Sequence, residues 1–316
     1  MFYSITYITS FNYSKFISES VMELRMQPLN DPFQLCLSFE LQVNPKSKVL
    51  SYRDYMGNTI HHFDIPGYHT QLIIITLSQV ETKFQFIDHD KLNSVTWNQI
   101  DEISMNEQFL EMMLPSTFAY TTDLLKQFAG ELDLSRKENP FKAITDLNFA
   151  IYSAFQYEPK ITKADSPIDV SLELRKGVCQ DFAQIMIALV REYLKIPCRY
   201  VSGYLYTSKD SNDRSAVDAT HAWVEVYFPE IGWMGFDPTN NVIAGDRHIK
   251  CAIGRDYMDI PPTRGVFKGD AETELKVSVR ITKTDKPVID AFIIPETKWI
   301  KTGNSELSLQ QDQQQQ

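Results

Sequence analysis

The chain has 316 residues, which predicts about two domains, and its 43% hydrophobic and 23% charged residues are ordinary for a globular protein. Its net charge of −10 argues against sequence-independent nucleic-acid binding and against a polybasic membrane patch. No apolar stretch is long enough to span a membrane, and the alternating N-terminus is typical of a strand rather than a signal peptide. The four cysteines, Cys36, Cys179, Cys198 and Cys251, are scattered without a CxxC pair, so we expect no disulfide framework, no zinc site and a reduced, cytoplasmic chain.

Residues 1–95 have the pattern of a β-rich domain. Apolar and polar residues alternate over 34–43, and two further runs flank Met56-Gly57-Asn58, a sequence typical of a hairpin turn. Residues 70–86 add one or two strands. Pro66 and three other prolines lie between the runs, where a missing N–H breaks no ladder. Several short strands at close spacing predict an antiparallel sandwich or barrel-like domain.

From about Thr96 the apolar spacing becomes helical, and residues 96–304 are predicted to form an α+β core, because helices are followed by a run of strands. The strongest helical stripe ends at Pro197. The Gln-rich segment 305–316 is of low complexity and is predicted to be a disordered tail. The predicted helices cover 106–114, 122–132, 141–155 and 180–194, and the predicted strands cover 199–206, 221–228, 233–236, 249–253 and 274–281.

Cys179 is placed where a thiol becomes reactive. Gly177 is a turn residue just ahead of the strongest helix, so Cys179 falls in the first helical turn. The N–H groups there are unpaired and the helix dipole is positive, which favours the thiolate and can hold an oxyanion. Considered alone, Cys179 is more simply explained as a small buried hydrophobic residue.

His221 and Asp237 are predicted to be neighbours. His221 begins a strand whose opposite face, beginning at Ala222, is apolar and looks like core. Asp237 ends the next short strand, and the tight turn at 229–232 makes the two strands a hairpin that places Asp237 beside His221. A carboxylate there would accept a hydrogen bond from the imidazole and fix its tautomer. The remaining histidines, His61, His62, His69, His89 and His248, have no such context and are interpreted as surface or structural residues.

Each of these three residues has a structural explanation when it is taken singly: a packed thiol, a satisfied histidine and a turn residue before proline. Taken together, a nucleophile at a helix N-terminus, a base on a strand and an orienting acid across a hairpin follow the logic of an activated thiol. The sequence alone leaves open whether the helix packs on this sheet.

At these residues the chain resembles the transglutaminase-like superfamily, and most of all its bacterial, papain-related branch of cysteine-protease-like members. The resemblance covers about residues 2–281 and is specific, because several motifs occur in order. In the core these are GVCQDFA, IPCRYVSGYL, HAWVEVYFPEIGW, GFDPTNN and GRDYMDIPPTRGVFKG, and in the N-terminal region VMELRMQP, VNP and YRDYMGN.

The resemblance implies a papain-like core behind an N-terminal antiparallel β domain, with a triad of Cys179 as nucleophile, His221 as base and Asp237 as orienting acid. It also implies a cysteine hydrolase or acyltransferase that acts on a peptide, protein or small amide through a thioester. Cys198 stands where the family pattern often has Ala, a small-for-small change. No calcium loop is present, so the calcium dependence of the animal enzymes is not carried over, and no cofactor or metal is expected.

Two other functions stay open at this point. A non-catalytic binding module of the same fold would need no intact triad, and acetyl transfer of the arylamine N-acetyltransferase type would require an acyl-CoA. Three residues are expected to have structural roles: Trp223 would wall or pack the site, and Asp181 would pair with Arg199. The second oxyanion donor, the acceptor and the oligomeric state are not identified.

Overall fold

A computed structural model describes residues 1–83, 88–208, 211–216 and 219–286 of the chain. The predicted tail at 305–316 lies outside the described residues. The helices are α1 (His89–Ser94), α2 (Trp97–Ser104), α3 (Leu110–Met113), α4 (Asp123–Glu131), α5 (Pro140–Ala154), α6 (Ile168–Leu174) and α7 (Cys179–Leu189), with a 3₁₀ turn at Glu107–Phe109 and a π-helical turn at Val190–Leu194. The strands are β1 (Phe2–Leu24), β2 (Gln34–Asn44), β3 (Leu50–Arg53), β4 (Thr59–Thr82), β5 (Gln156–Tyr157), β6 (Lys176–Gly177), β7 (Cys198–Leu205), β8 (His221–Phe228), β9 (Gly232–Asp237), β10 (Val242–Ile243), β11 (His248–Gly254), β12 (Thr263–Lys268) and β13 (Thr273–Thr284).

The N-terminal region is built on two long antiparallel strands, β1 and β4, which pair along almost their whole length. Strand β2 and the short β3 pair with the other edge of β4, which confirms the hairpin turn around Gly57. Pro66 lies inside β4 rather than between strands as predicted. It is opposite Glu19, next to a shift in register, where a residue without an N–H is tolerated.

The strands at the C-terminal end of the predicted core belong to this N-terminal sheet. β12 and β13 pair with the outer edge of β1, so within the described ranges six strands form one sheet. The predicted division at residue 95 therefore needs correcting for residues 263–284. The physical reason is that β1 is 23 residues long and its second edge needs a partner, which the chain supplies about 270 residues later.

In the part of the chain that the structure describes, the core is a five-stranded antiparallel sheet, in the order β10-β9-β8-β7-β11, with helices on one face. The apolar stripe of α7 packs on this face. One buried cluster contains Phe182, Ile185 and Met186 from α7 together with Val224 and Val226 from β8, as the alternation in β8 predicted. The observed fold is thus the α+β fold that the sequence indicated.

The other face of the core sheet packs against the N-terminal sheet. Tyr3 and Tyr7 of β1 share a buried cluster with Tyr204 of β7 and with Ile249 and Cys251 of β11. The two parts of the chain are therefore joined by a common hydrophobic layer. Within the ranges that the structure describes, no helix is long and apolar enough to cross a membrane.

Candidate active site

The first turn of α7 presents the Cys179 side chain. Strand β6 ends at Gly177, Val178 is extended, and Cys179 is the first residue of the helix. The Asp181 carboxylate accepts the Val178 N–H at 2.8 Å and the Thr162 hydroxyl at 2.6 Å, which fixes this turn. Cys179 is half-buried, and it lies at a helix end whose N–H groups lack helical partners.

The surroundings of Cys179 are closely packed. A Cβ added to Gly177 would lie 2.6 Å from Ser171 Oγ and 2.7 Å from Asp181 Oδ2, so only glycine fits there. Tyr157 on β5 pairs with Gly177 across a parallel ladder. Burial and then the nearby Cys179 raise the pKa of Tyr157 to about 12.

His221 and Asp237 are in direct contact. His221 is the first residue of β8 and Asp237 the last residue of β9, and the hairpin brings His221 Nε2 to 2.7 Å from Asp237 Oδ2. Both residues are buried. Within the described residues, His221 Nδ1 has no hydrogen-bond partner. The predicted neighbours are thus confirmed as neighbours, and Nδ1 is the ring nitrogen that does not bind Asp237.

The Asp237 carboxylate is fully buried and accepts five hydrogen bonds. Oδ1 accepts the N–H groups of Thr239 at 2.9 Å and Asn240 at 3.2 Å. Oδ2 accepts from His221 at 2.7 Å, from the Asn240 side-chain amide at 2.7 Å and from His248 Nε2 at 3.2 Å. Such a set of donors stabilises a buried negative charge, because a bare carboxylate away from water is strongly disfavoured.

His248 is a contact of the site that the sequence did not reveal. The sequence alone indicates a surface or structural histidine, whereas His248 is buried, donates to Asp237, and packs edge-on against Trp223 with ring centroids 5.2 Å apart. The local sequence around His248 gives no signal, because His248 starts the edge strand β11, two strands away from β8. Only the pairing order of the whole sheet brings it to Asp237.

The three residues His221, Asp237 and His248 also have the spacing of metal ligands, with their polar atoms within 4.8 Å of one another. The Gly245 N–H donates to Nδ1 of His248 at 3.3 Å. In the neutral ring the proton therefore sits on Nε2 and points to Asp237. A protonated ring nitrogen has no lone pair for a metal, so this arrangement suits a hydrogen-bonded carboxylate better than a metal ion.

The electrostatics of the site favour a charged His221–Asp237 pair. Burial favours the neutral form of each residue, but their mutual attraction and hydrogen bond outweigh burial. They raise the pKa of His221 and hold the pKa of Asp237 well below its usual range. Cys179 adds to the rise in the His221 pKa. Burial lowers the pKa of His248 even though Asp237 attracts its proton, so His248 is neutral at pH 7.

The expectation that Asp181 pairs with Arg199 is wrong. Asp181 caps α7, as described above, whereas Arg199 binds the buried Glu225 at 2.6 Å on the opposite face of the sheet. These partners differ because Arg199 lies directly across the β7–β8 ladder from Glu225. Trp223 packs within the site: it is buried, and its ring stacks with that of His221 at a centroid distance of 6.0 Å.

Comparisons with known proteins identify the family of the chain. The chain matches the family model of the transglutaminase-like superfamily over residues 126–238 and that of the bacterial transglutaminase-like N-terminal region over residues 3–81. A 93-residue stretch, 28% of this chain and 14% of the relative, is 37% identical to a protein-glutamine gamma-glutamyltransferase of Pseudomonas aeruginosa.

Two longer matches cover most of the chain. The uncharacterized protein ML0607 of Mycobacterium leprae is 30% identical over 280 residues, 88% of this chain and 98% of the relative. A crystal structure from Cytophaga hutchinsonii, described as a "Putative Cysteine Protease", has 23% identity and a TM-score of 0.72 over 90% of this chain and 92% of that one, which shows the shared fold. The chain therefore belongs to the transglutaminase-like superfamily, with a bacterial transglutaminase-like N-terminal region ahead of its core.

Proposed function

We propose that this protein is a cysteine-dependent enzyme that cleaves an amide through a thioester on Cys179. The observation that carries the proposal is the orientation of His221. Its Nε2 is bonded to the buried Asp237 carboxylate at 2.7 Å, and its Nδ1 is left without a partner among the described residues, on a ring whose pKa responds to Cys179. That is the arrangement of an activated thiol: nucleophile, proton carrier and orienting acid.

The reaction follows from these positions. His221 Nδ1 takes the proton of the Cys179 thiol, the sulfur attacks the amide carbonyl, and an S–C bond forms. The C–N bond then breaks as Nδ1 gives this proton to the leaving amine. Water then gives a proton to the same nitrogen while its oxygen attacks the thioester, which releases the acid and restores the thiol–imidazole pair. The helix N-terminus supplies N–H groups for the oxyanion. An amine could take the place of water, but hydrolysis needs no second binding site.

The first test uses selective labelling of the thiols. Burial raises the pKa of Cys36 and of Cys198 to about 11, and it also raises the pKa of Cys251, so these thiols stay protonated and slow to react at pH 6–7. We expect iodoacetamide to label Cys179 first, as mapped by peptide mass spectrometry. Equal labelling of all four thiols, or labelling of Cys36 before Cys179, would contradict an activated nucleophile.

The second test looks for the covalent intermediate. Peptides ending in Gln, isopeptides and γ-glutamyl amides are incubated with the protein, and the intact mass is followed for an acyl adduct on Cys179. Cys179→Ala is the matched control: it should fold with the same circular dichroism spectrum, because Cys179 is half-buried at the start of α7, and it should form no adduct. An adduct or turnover in Cys179→Ala would refute the assignment of the nucleophile.

A further inference from the structure

An open cleft of about 500 Å³ lies at the end of β5. It is lined by residues 153–157 together with Arg175 and Arg214. Tyr157 connects it to the site, because Tyr157 pairs with Gly177, two residues before Cys179. Among the described residues that line this cleft, none is Asp or Glu, although the whole chain carries a net charge of −10.

Arg214 is held at the rim of this cleft by hydrogen bonds that connect it through Asn240 to Asp237. Its N–H donates to Asn240 Oδ1 at 2.7 Å, and the amide of the same Asn240 donates to Asp237. Two residues later, the N–H of Ala216 donates to the hydroxyl of Tyr157 at 3.2 Å. The segment 214–216 therefore connects the proposed acid, Asp237, to the phenol of Tyr157.

The two guanidinium groups are positioned on aromatic rings. Arg214 lies 3.4 Å from the centroid of the Tyr152 ring and donates to the Tyr152 carbonyl at 2.7 Å. Arg175 lies 4.5 Å from the centroid of the Phe128 ring and pairs with Glu131 at 2.7 Å. Neutral carbonyls leave the positive charge of Arg214 intact, whereas Arg175 shares its charge with a carboxylate. Arg214 is thus the stronger anion-binding group of the cleft.

We propose that this cleft binds a carboxylate of the substrate, so that the enzyme prefers amides whose remaining part carries a negative charge. Arginine presents a planar fork of N–H donors that matches a carboxylate, and stacking on a ring fixes the plane of that fork. This inference rests on the proposed function for the identity of the reacting atom, Cys179, and it adds the class of substrate.

The test compares two reagents that differ only in charge, N-chloroacetyl-β-alanine and its carboxamide. In each case the Cys179 sulfur displaces chloride, an S–C bond replaces the C–Cl bond, and intact mass gives the second-order rate. The measured quantity is the rate of the carboxylate reagent divided by the rate of the carboxamide reagent. We expect this ratio to be about tenfold higher with the protein than with free cysteine, which corresponds to one charge-assisted hydrogen bond. Sodium chloride should reduce this preference.

Arg214→Gln should lower that ratio to the value for free cysteine, and Arg214→Lys, which keeps the charge, should retain part of it. Arg53→Gln removes the same charge from strand β3 of the N-terminal sheet and should leave the ratio unchanged. A wild-type ratio equal to that of free cysteine, or a full preference in Arg214→Gln, would overturn the proposal. The ratio is measurable without turnover, so a retained preference in a protein that cleaves no amide would count against the proposed function alone.

Discussion

Replacing Asp237 by asparagine tests the centre of the site, because the carboxylate accepts five hydrogen bonds and an amide can accept only from one end. If the amide oxygen takes the place of Oδ2, it keeps the bonds from His221, His248 and the Asn240 side chain, and its NH₂ group faces the N–H groups of Thr239 and Asn240. The reverse orientation leaves three donors facing the NH₂ group. At least two donors are therefore orphaned, one of them, the Thr239 N–H, buried and the other partly buried.

Each orphaned donor costs about 1–3 kcal/mol, so Asp237→Asn should lower the free energy of unfolding by roughly 2–6 kcal/mol. Acylation of Cys179 should also slow by roughly 10 to 10³-fold, less than the loss seen in serine triads, because a helix N-terminus already favours the thiolate. Urea unfolding measures the first effect, and the rate of adduct formation by intact mass, at a temperature where the variant is folded, measures the second.

The pH dependence should change in a defined direction. Burial alone lowers the pKa of His221, and attraction to the Asp237 carboxylate is the main influence that raises it. In Asp237→Asn the His221 imidazolium therefore loses its proton at a lower pH, and the alkaline limb of the plot of acylation rate against pH should shift to lower pH. Asp259→Asn is the control: Asp259 pairs with Arg255 rather than with the histidines, so it should lose stability without a shift in this limb. Unchanged acylation kinetics in Asp237→Asn would mean that another residue orients His221.

His248→Phe should slow acylation less than Asp237→Asn, since it removes one of the five donors to Asp237 and keeps a ring against Trp223. We expect the acylation rate to fall roughly tenfold or less, from the loss of one hydrogen bond. A His248→Phe variant as slow as Asp237→Asn would contradict this ranking. Gly203→Ala should prevent stable folding, as judged by the melting temperature, because its Cβ would lie 2.1 Å from the Ile249 carbonyl oxygen. Burial raises the pKa of Glu225, but its cationic partners, Lys250 foremost, outweigh burial and lower this pKa. The ionised Glu225 therefore stabilises the fold above its unfolded pKa of about 4.3, and this stability is lost as the pH falls through the lowered folded pKa. In urea unfolding, the free energy of unfolding of Glu225→Gln should fall less steeply below pH 4 than that of the wild type.

The parts of the site that the sequence could predict are those set by local structure. Cys179 follows a turn glycine and opens a strongly periodic helix, so its place at the helix N-terminus depends on neighbouring residues alone. The His221–Asp237 contact depends on one hairpin, and a tight turn at 229–232 fixes its register without knowledge of the rest of the fold. Both features survive any error in the assignment of distant strands.

What the sequence could not predict depends on pairing between distant segments. β12 and β13 add to an edge of β1 at separations above 200 residues, and no local pattern marks which sheet an alternating strand joins. The short helices α1, α2 and α6 have six to eight residues, too few to repeat a helical period clearly. His248 was missed for the same reason as β12: its contact with Asp237 requires the complete strand order of the core sheet.

The N-terminal sheet holds the strand that carries His248. β11 is an edge strand of the core sheet, and an unpaired edge would leave its N–H and C=O groups exposed. Two side-chain amides take the place of a further strand. Gln34 donates to the Lys250 carbonyl at 2.9 Å and accepts its N–H at 2.8 Å, and Asn58 binds both groups of Ile253, each at 2.8 Å.

Each of these amides, like a neighbouring strand, satisfies a donor and an acceptor of one β11 residue. Asn58 is fully buried, so Asn58→Ala would orphan a buried N–H and a buried C=O of Ile253, at about 1–3 kcal/mol each. We expect faster hydrogen exchange at the β11 amides in this variant, and a slower acylation of Cys179 because β11 positions His248 on Asp237. Faster exchange with unchanged acylation would show that His248 needs no support from the N-terminal sheet. Unchanged exchange would show that β7 alone holds β11 in place.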